Sequence, residues 1–121
     1  MFKWILAAAA LVAIPAVASA QDADAGKGVF GKCRACHAVG EGAKNMVGPH
    51  LNGVVGRKSA TVEGFNYSDA MKAAGKTWDE ATLEAYITNP KEYIPGNKMV
   101  FVGLKDETDR KNLIAFLKTN K

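Results

Sequence analysis

The chain has 121 residues, which is room for one domain, and 16 Lys and Arg against 12 Asp and Glu give it a formal net charge of +4. The lysines are spread along the sequence and form no basic run interleaved with aromatic residues, so we expect no nucleic-acid partner. An acidic patch on a partner protein is the expected complement to this mild basicity.

The first twenty residues are typical of a cleaved Sec-type signal peptide. Lys3 supplies a positive start, residues 4–17 form an uncharged apolar run, and Ala18–Ala20 matches an A-x-A cleavage signal. The run is shorter than the roughly 20 apolar residues of a membrane span, and it contains a proline. We therefore expect export to the periplasm, cleavage after Ala20, and one domain over residues 21–121.

Two helices are predicted in the first half of that domain. Asp22 or Asp24 caps the first one, and Ser68 caps a second, short helix that ends at Gly75. Residues 40–61 lie between them with no clear helix or strand pattern. Because a structureless loop of this length needs a reason in a compact domain, we expect it to wrap around a large bound ligand.

Two further helices are predicted in the second half. Thr77 and Glu80 have the spacing of a capping box, and the helix that follows stops at the Asn-Pro pair containing Pro90. The last helix begins near Asp106, with acidic residues in its first turn. Strand signals are thin, since residues 51–56 are broken by glycines, and the pattern therefore favours an all-α domain.

The only two cysteines stand in the sequence Cys33-x-x-Cys36-His37. A redox dithiol of the thioredoxin type needs βαβ units around it, and none is apparent. A structural zinc site needs four ligands, and the one further candidate, His50, would complete a strained set containing adjacent residues. Covalent haem attachment is the remaining interpretation: both thiols bond to the haem and His37 binds the iron.

A haem held in this way needs a ligand on its other face. His50 follows a proline in a loop near the attachment motif, and we predict a surface histidine there. Met46 is also close to the motif, and Met71 lies in a short helix as an adaptable packing residue. Met99 is the favoured candidate, since it follows a Pro-Gly turn in an irregular segment that can cross the far face.

These motifs together resemble class I cytochrome c, close to the bacterial periplasmic cytochrome c2 type and to the mitochondrial protein. The resemblance covers essentially all of residues 21–121 through "GKGVFGKCRACH", "VGPHLNGVVGRK", "GFNYSDA", "TWDEATLEAYITNPKEYIPGNKMVF" and "LIAFLK". It implies a small single-domain all-α fold, with helices and loops wrapped around one covalently bound haem c. It also implies that the first and last helices cross at Gly26 and Phe116.

The resemblance implies a role for each site residue. Cys33 and Cys36 would form the thioether links, and His37 and Met99 would bind the iron. The Pro49 carbonyl would accept a hydrogen bond from the Nδ1 of His37 and so orient the ring.

The resemblance also implies which groups surround the rest of the haem. Tyr86 would bond near the Met99 sulfur. Arg57, Tyr67, Trp78 and Asn97 would surround the haem propionates, whose burial requires hydrogen bonds or a paired charge.

With both axial positions filled, the iron has no open site, which favours outer-sphere transfer of one electron and not enzymatic catalysis. The alternative is a haem enzyme or sensor, peroxidase-like or gas-binding, with a labile sixth ligand.

The resemblance implies a monomeric carrier between membrane complexes of respiration or photosynthesis. A cytochrome bc1-type complex would be the donor, and cytochrome oxidase or a photosynthetic reaction centre the acceptor. Five lysines would ring the exposed haem edge and steer acidic partners: Lys32, Lys44, Lys91, Lys98 and Lys105.

Overall fold

Five α-helices and one 3-10 turn make up the regular structure of residues 21–121, the part of the chain that the computed structural model describes. The predicted signal peptide lies outside the described residues. The helices are α1 (Ala23–Val29), α2 (Asp69–Ala74), α3 (Glu80–Thr88), α4 (Pro90–Tyr93) and α5 (Glu107–Lys118), with the 3-10 turn at Phe30–Lys32. Over residues 21–121, no helix combines the length and apolar character needed to cross a membrane.

Three helices begin at the predicted caps. The Asp22 carboxylate accepts hydrogen bonds from the first turn of α1, and the Ser68 hydroxyl accepts one from the third residue of α2. The Asp106 carboxylate accepts one from the Asp109 N–H at 2.9 Å in α5. Each cap satisfies a backbone donor that has no partner within its helix, which fixes where the helix starts.

The predicted capping box of the third helix is wrong. Asp79 caps α3, accepting from the Thr82 N–H at 2.8 Å, while the Thr77 carbonyl accepts from the Thr82 hydroxyl at 2.6 Å. Asp79 is an equally good cap and lies two residues closer to the helical run, so it takes the position. Pro90 ends α3 as predicted, but it also begins α4, because a first helical residue needs no N–H.

Only one isolated antiparallel bridge, between Lys58 and Thr77, interrupts the helical pattern of the described residues. It ties the loop after residue 50 to the start of α3, and the Gly56 N–H and the Trp78 carbonyl bond beside it at 2.7 Å. The expectation of an all-α domain is thus confirmed, and the long loop 40–61 is held in place without a sheet.

The crossing of α1 and α5 joins the two ends of the domain. Gly26 lies so close to α5 that an added Cβ would stand 1.9 Å from the Asn112 carbonyl oxygen. The Asp22 N–H donates to the side chain of the buried Asn112 at 3.0 Å, and the rings of Phe30 and Phe116 pack with centroids 5.4 Å apart. The crossing implied at Gly26 and Phe116 is therefore present, and only glycine permits it.

The buried core surrounds a cavity. Side chains from α3, α5 and the loops between them form one apolar cluster that includes Trp78, Leu83 and Leu113. The same three side chains line the cavity. The interior of this small domain is thus a shell around a binding space.

Replacing Gly26 by alanine tests the helix crossing. Because the new methyl group meets the α5 backbone, the helices must separate, and we expect the free energy of unfolding to fall by about 1–3 kcal/mol. Gly28→Ala in the same helix is the control: an added Cβ there has nothing within 4 Å. That change should stabilise the helix by about 0.5–1 kcal/mol. Guanidinium unfolding of both variants measures this, and equal effects would contradict the close crossing.

Candidate functional site

One cavity of about 240 Å³ is lined by the residues that the sequence predicted to hold the haem and its iron. The structure brings all ten predicted site residues to its walls: Cys33, Cys36, His37, Pro49, Arg57, Tyr67, Trp78, Tyr86, Asn97 and Met99. These residues come from five separate stretches of the chain, so only the tertiary fold assembles them. Most of the remaining walls are aliphatic or aromatic side chains, as expected for a site that binds a large apolar ligand.

A tight turn places both cysteines and the histidine on the cavity wall. The Cys33 carbonyl accepts hydrogen bonds from the Cys36 N–H at 3.0 Å and the His37 N–H at 2.9 Å. This turn continues directly from the 3-10 turn that ends at Lys32. The spacing of two residues between the cysteines thus presents both thiols and the imidazole to one space.

The geometry does not suit the dithiol or zinc interpretations. Cys33 and Cys36 are not joined in a disulfide. Burial raises the pKa of the Cys33 thiol to about 11, whereas reactive thiols have a lowered pKa. Within residues 21–121, no three His, Cys, Asp or Glu side chains come together as metal ligands.

His37 is held by its Nδ1 atom, which donates to the Pro49 carbonyl at 2.7 Å. The carbonyl can only accept, so the bond fixes the tautomer and leaves Nε2 free as a ligand atom. Burial lowers the pKa of His37 below its ordinary value, which favours the neutral ring that metals bind. Gly48 packs under the ring: an added Cβ there would stand 2.3 Å from Cε1.

Met99 and Tyr86 form another part of the wall. The Tyr86 hydroxyl donates to the Met99 sulfur at 3.9 Å, and its ring packs against Trp78 with centroids 4.9 Å apart. Burial raises the pKa of Tyr86 to about 12, so the phenol keeps its proton at neutral pH and remains a donor. One sulfur of the chain is therefore oriented by a buried phenol.

Arg57 brings a positive charge to the cavity. Its Nη1 donates to the carbonyls of His50 at 3.2 Å and Asn52 at 3.0 Å, and burial lowers its pKa below the ordinary value. None of the ion pairs formed by residues 21–121 includes it. A partly buried cation without an anionic partner is costly, so this wall is suited to a ligand that carries carboxylates.

Comparison with known proteins decides the family. Residues 23–121 match the family described as Cytochrome c. The chain is 59% identical over 97 residues to cytochrome c2 of Rhodoplanes tepidamans, covering 80% of this chain and 91% of that one. It is 60% identical over 95 residues to cytochrome c-550 of Bradyrhizobium diazoefficiens, covering 78% and 70%. Cytochrome cH from Methylobacterium extorquens has a similar structure, with a TM-score of 0.78, 46% identity, and coverage of 82% of this chain and 99% of that one.

The chain is a class I cytochrome c. It carries one c-type haem bound covalently through Cys33 and Cys36, and it is an electron carrier and not an enzyme. The residues present fit that group on two independent observations. The uncompensated guanidinium of Arg57 suits the haem carboxylates, and the apolar walls suit the porphyrin.

Sequence reasoning about this cytochrome missed several residues that complete the site. Gly48 precedes Pro49 and leaves space for the His37 ring, a contact that only the folded structure reveals. Several aliphatic and aromatic residues also close the cavity: Leu51, Val54, Leu83, Phe101, Leu113 and Leu117. A helical stripe was visible for α5, but nothing in a single sequence indicates that a stripe faces a cofactor.

His50 and Asn97 differ in their surroundings from what the sequence predicted. His50, predicted at the surface, is half-buried, and its Nδ1 is out of contact with solvent. Asn97 lies at the cavity, yet its side-chain hydrogen bonds all go to backbone groups. The Asn97 difference arises because loop backbone needs hydrogen-bond partners, which a sequence pattern does not reveal. The buried Nδ1 of His50 has no hydrogen-bond partner among the described residues.

Replacing Gly48 by alanine tests the packing under His37. The methyl group would overlap the imidazole, so either the ring or the loop must move and the bond to Pro49 weakens; we expect a loss of about 1–3 kcal/mol in stability of the holoprotein. Gly31→Ala, in the turn just before the cysteines, has open space around the new Cβ and serves as the control. Thermal unfolding of the two variants compares them, and a Gly48→Ala protein as stable as the control would contradict this packing.

Proposed function

We propose that His37 and Met99 bind the haem iron from opposite faces and that this closed site makes the chain a one-electron shuttle. The observation that carries the proposal is that a tyrosine-oriented thioether and a carbonyl-oriented imidazole line the same cavity as Cys33 and Cys36. A haem iron bound by imidazole and thioether exchanges one electron, at a potential raised by the methionine.

The residues of this chain then keep the site closed. Pro49 holds the imidazole and Tyr86 donates to the thioether, so both side chains are already oriented as they would be needed to hold the haem iron. Buried aromatic and aliphatic walls exclude water, which also favours the less charged reduced state. Little rearrangement is needed when an electron arrives or leaves.

The polar end of the cavity is assigned to the haem carboxylates. Arg57 offers its remaining guanidinium N–H groups, and Trp78 and Tyr67 line the same cavity. The Tyr67 hydroxyl also accepts from the Val62 N–H at 3.0 Å, which leaves its own proton for an acceptor in the cavity. Asn97 also lines the cavity and belongs to the set proposed to surround the haem carboxylates.

Partner proteins are proposed to dock where the cavity meets the surface. Val47 and Val100 line the cavity and are 78% and 94% exposed, so an apolar centre is available for contact. The five lysines of the predicted ring are all exposed, which supports electrostatic steering toward acidic partners: Lys32, Lys44, Lys91, Lys98 and Lys105.

The location and partners follow from the same proposal. The predicted signal peptide would deliver the chain to the periplasm, with cleavage after Ala20. There a cytochrome bc1-type complex would reduce it, and cytochrome oxidase or a photosynthetic reaction centre would oxidise it.

Replacing Met99 tests the axial assignment. Met99→Ala should abolish the long-wavelength charge-transfer band of the ferric iron–methionine bond and lower the reduction potential, because the thioether ligand is gone. Met71→Ala is the matched control, since Met71 lines the same cavity on a different element. Absorption spectra and redox titration distinguish them. A band that survives in Met99→Ala and disappears in Met71→Ala would reassign the ligand.

Charge removal at the cavity mouth tests docking. Lys98→Gln should slow electron exchange with a purified cytochrome bc1 complex roughly two- to fivefold at low ionic strength, the effect of one surface charge pair. The difference should vanish at high salt because exposed charges are screened. Lys111→Gln, which removes the same charge from a residue paired with Glu107 in α5, is the control. Equal slowing by both variants would rule out a defined docking edge.

A further inference from the structure

The segment that carries Met99 is weakly attached to the rest of the domain. Across residues 98–103, the Met99 N–H is the one backbone group for which the described structure has a hydrogen bond. Its partner is the side-chain Oδ1 of Asn97, at 2.8 Å. The next backbone anchor along the chain is the Leu104 N–H, which donates to the Ile87 carbonyl at 2.7 Å.

The side-chain nitrogen of Asn97 bonds to α4, the helix that precedes it in the chain. Its Nδ2 donates to the carbonyls of Pro90 and Ile94, each at 2.8 Å. These carbonyls belong to the start and the C-cap of α4, a helix of only four residues. One planar amide therefore joins α4 to the backbone of Met99 and uses both of its donors and its acceptor.

The histidine side of the cavity is held much more firmly. The Cys36 carbonyl accepts from the Gly48 N–H at 2.8 Å, the Ala38 carbonyl accepts from the Leu51 N–H at 3.0 Å, and His37 bonds to Pro49. Loss of any one of these bonds leaves the others in place. The methionine side has no such redundancy, because Tyr86 touches the sulfur in a single long contact of 3.9 Å.

From this asymmetry we infer that Asn97 is the positioning residue that keeps the Met99 thioether on the iron. The inference rests on the proposed assignment of Met99 as the distal ligand. Asn97 acts through the Met99 backbone and sets how easily the sulfur can leave. A side chain with one polar group cannot replace it, because the clamp needs an acceptor on one side and donors on the other.

Competition by exogenous imidazole measures this directly, because imidazole binds ferric iron only where the sulfur has left. In Asn97→Ala the clamp is lost, and we expect imidazole to bind the ferric holoprotein about tenfold more tightly, the effect of losing one or two net hydrogen bonds. Asn97→Asp keeps the acceptor for Met99 but loses both donors, so its affinity for imidazole should lie between those of the wild type and Asn97→Ala. An unchanged affinity in Asn97→Ala overturns the inference, and an Asp variant equal to the wild type shows that the bonds to α4 are not part of the clamp.

Asn89→Ala is the matched control for general loosening of α4. Asn89 caps that helix through the Glu92 N–H at 3.2 Å and makes no hydrogen bond to the Met99 segment. Its loss should leave imidazole affinity within about twofold of the wild type. If Asn89→Ala and Asn97→Ala raise the affinity equally, the cause is helix stability and the proposed clamp is wrong.

Backbone amide exchange separates this inference from the ligand assignment. In Asn97→Ala the Met99 N–H loses its partner, so its exchange in the reduced holoprotein should accelerate at least tenfold, while the Leu104 N–H should not change. This result does not depend on which residue binds the iron. Rapid Met99 exchange already in the wild type would refute the clamp, whereas the Met99→Ala spectra test the ligand assignment by themselves.

Discussion

The cavity in the middle of the core is the constraint on which the rest of this structure depends. A domain of this size has few apolar side chains, and those of Trp78, Leu83 and Leu113 both form the core and line the cavity. All three are buried, and they border a space suited to a large apolar group. Covalent haem attachment thus supplies the centre around which the helices and the loop 40–61 are arranged.

Attachment at one edge also explains why the two faces of the cavity are built differently. The Cys33–His37 turn must present three side chains in a fixed geometry, and several backbone hydrogen bonds hold it. The Met99 segment carries one side chain to the cavity and has almost no backbone bonds of its own. Its position depends on Asn97, Tyr86 and packing, so stability there is concentrated in a few contacts.

The charged side chains at the cavity and at the surface have different environments. Arg57 places one cation at the cavity, where it has no carboxylate partner within residues 21–121. The exposed lysines lie in solvent, where water and salt screen their charges. Even among these, Lys105 is partly held, because its Nζ donates to the Thr88 carbonyl at the end of α3.

The sequence by itself determined the cofactor, the helical class and most helix ends. The Cys-x-x-Cys-His spacing, the caps at Asp22, Ser68 and Asp106, and the stop at Pro90 are local signals, because each depends on atoms only a few residues apart. The ten site residues named by the motifs of the family all line the cavity. Even a local signal failed once, where Asp79 and not Thr77 began α3.

Only the tertiary structure decided how the loops satisfy their backbone groups and what lies against what. That Gly48 lies under the His37 ring, that Arg57 bonds to two loop carbonyls, and that the Asn97 amide bonds to the Pro90 carbonyl depend on how the chain folds around them. These pairings follow from the need of each buried polar group for a partner and of each close contact for space. A single sequence lists the groups that need partners, and the folded chain alone determines which partners they find.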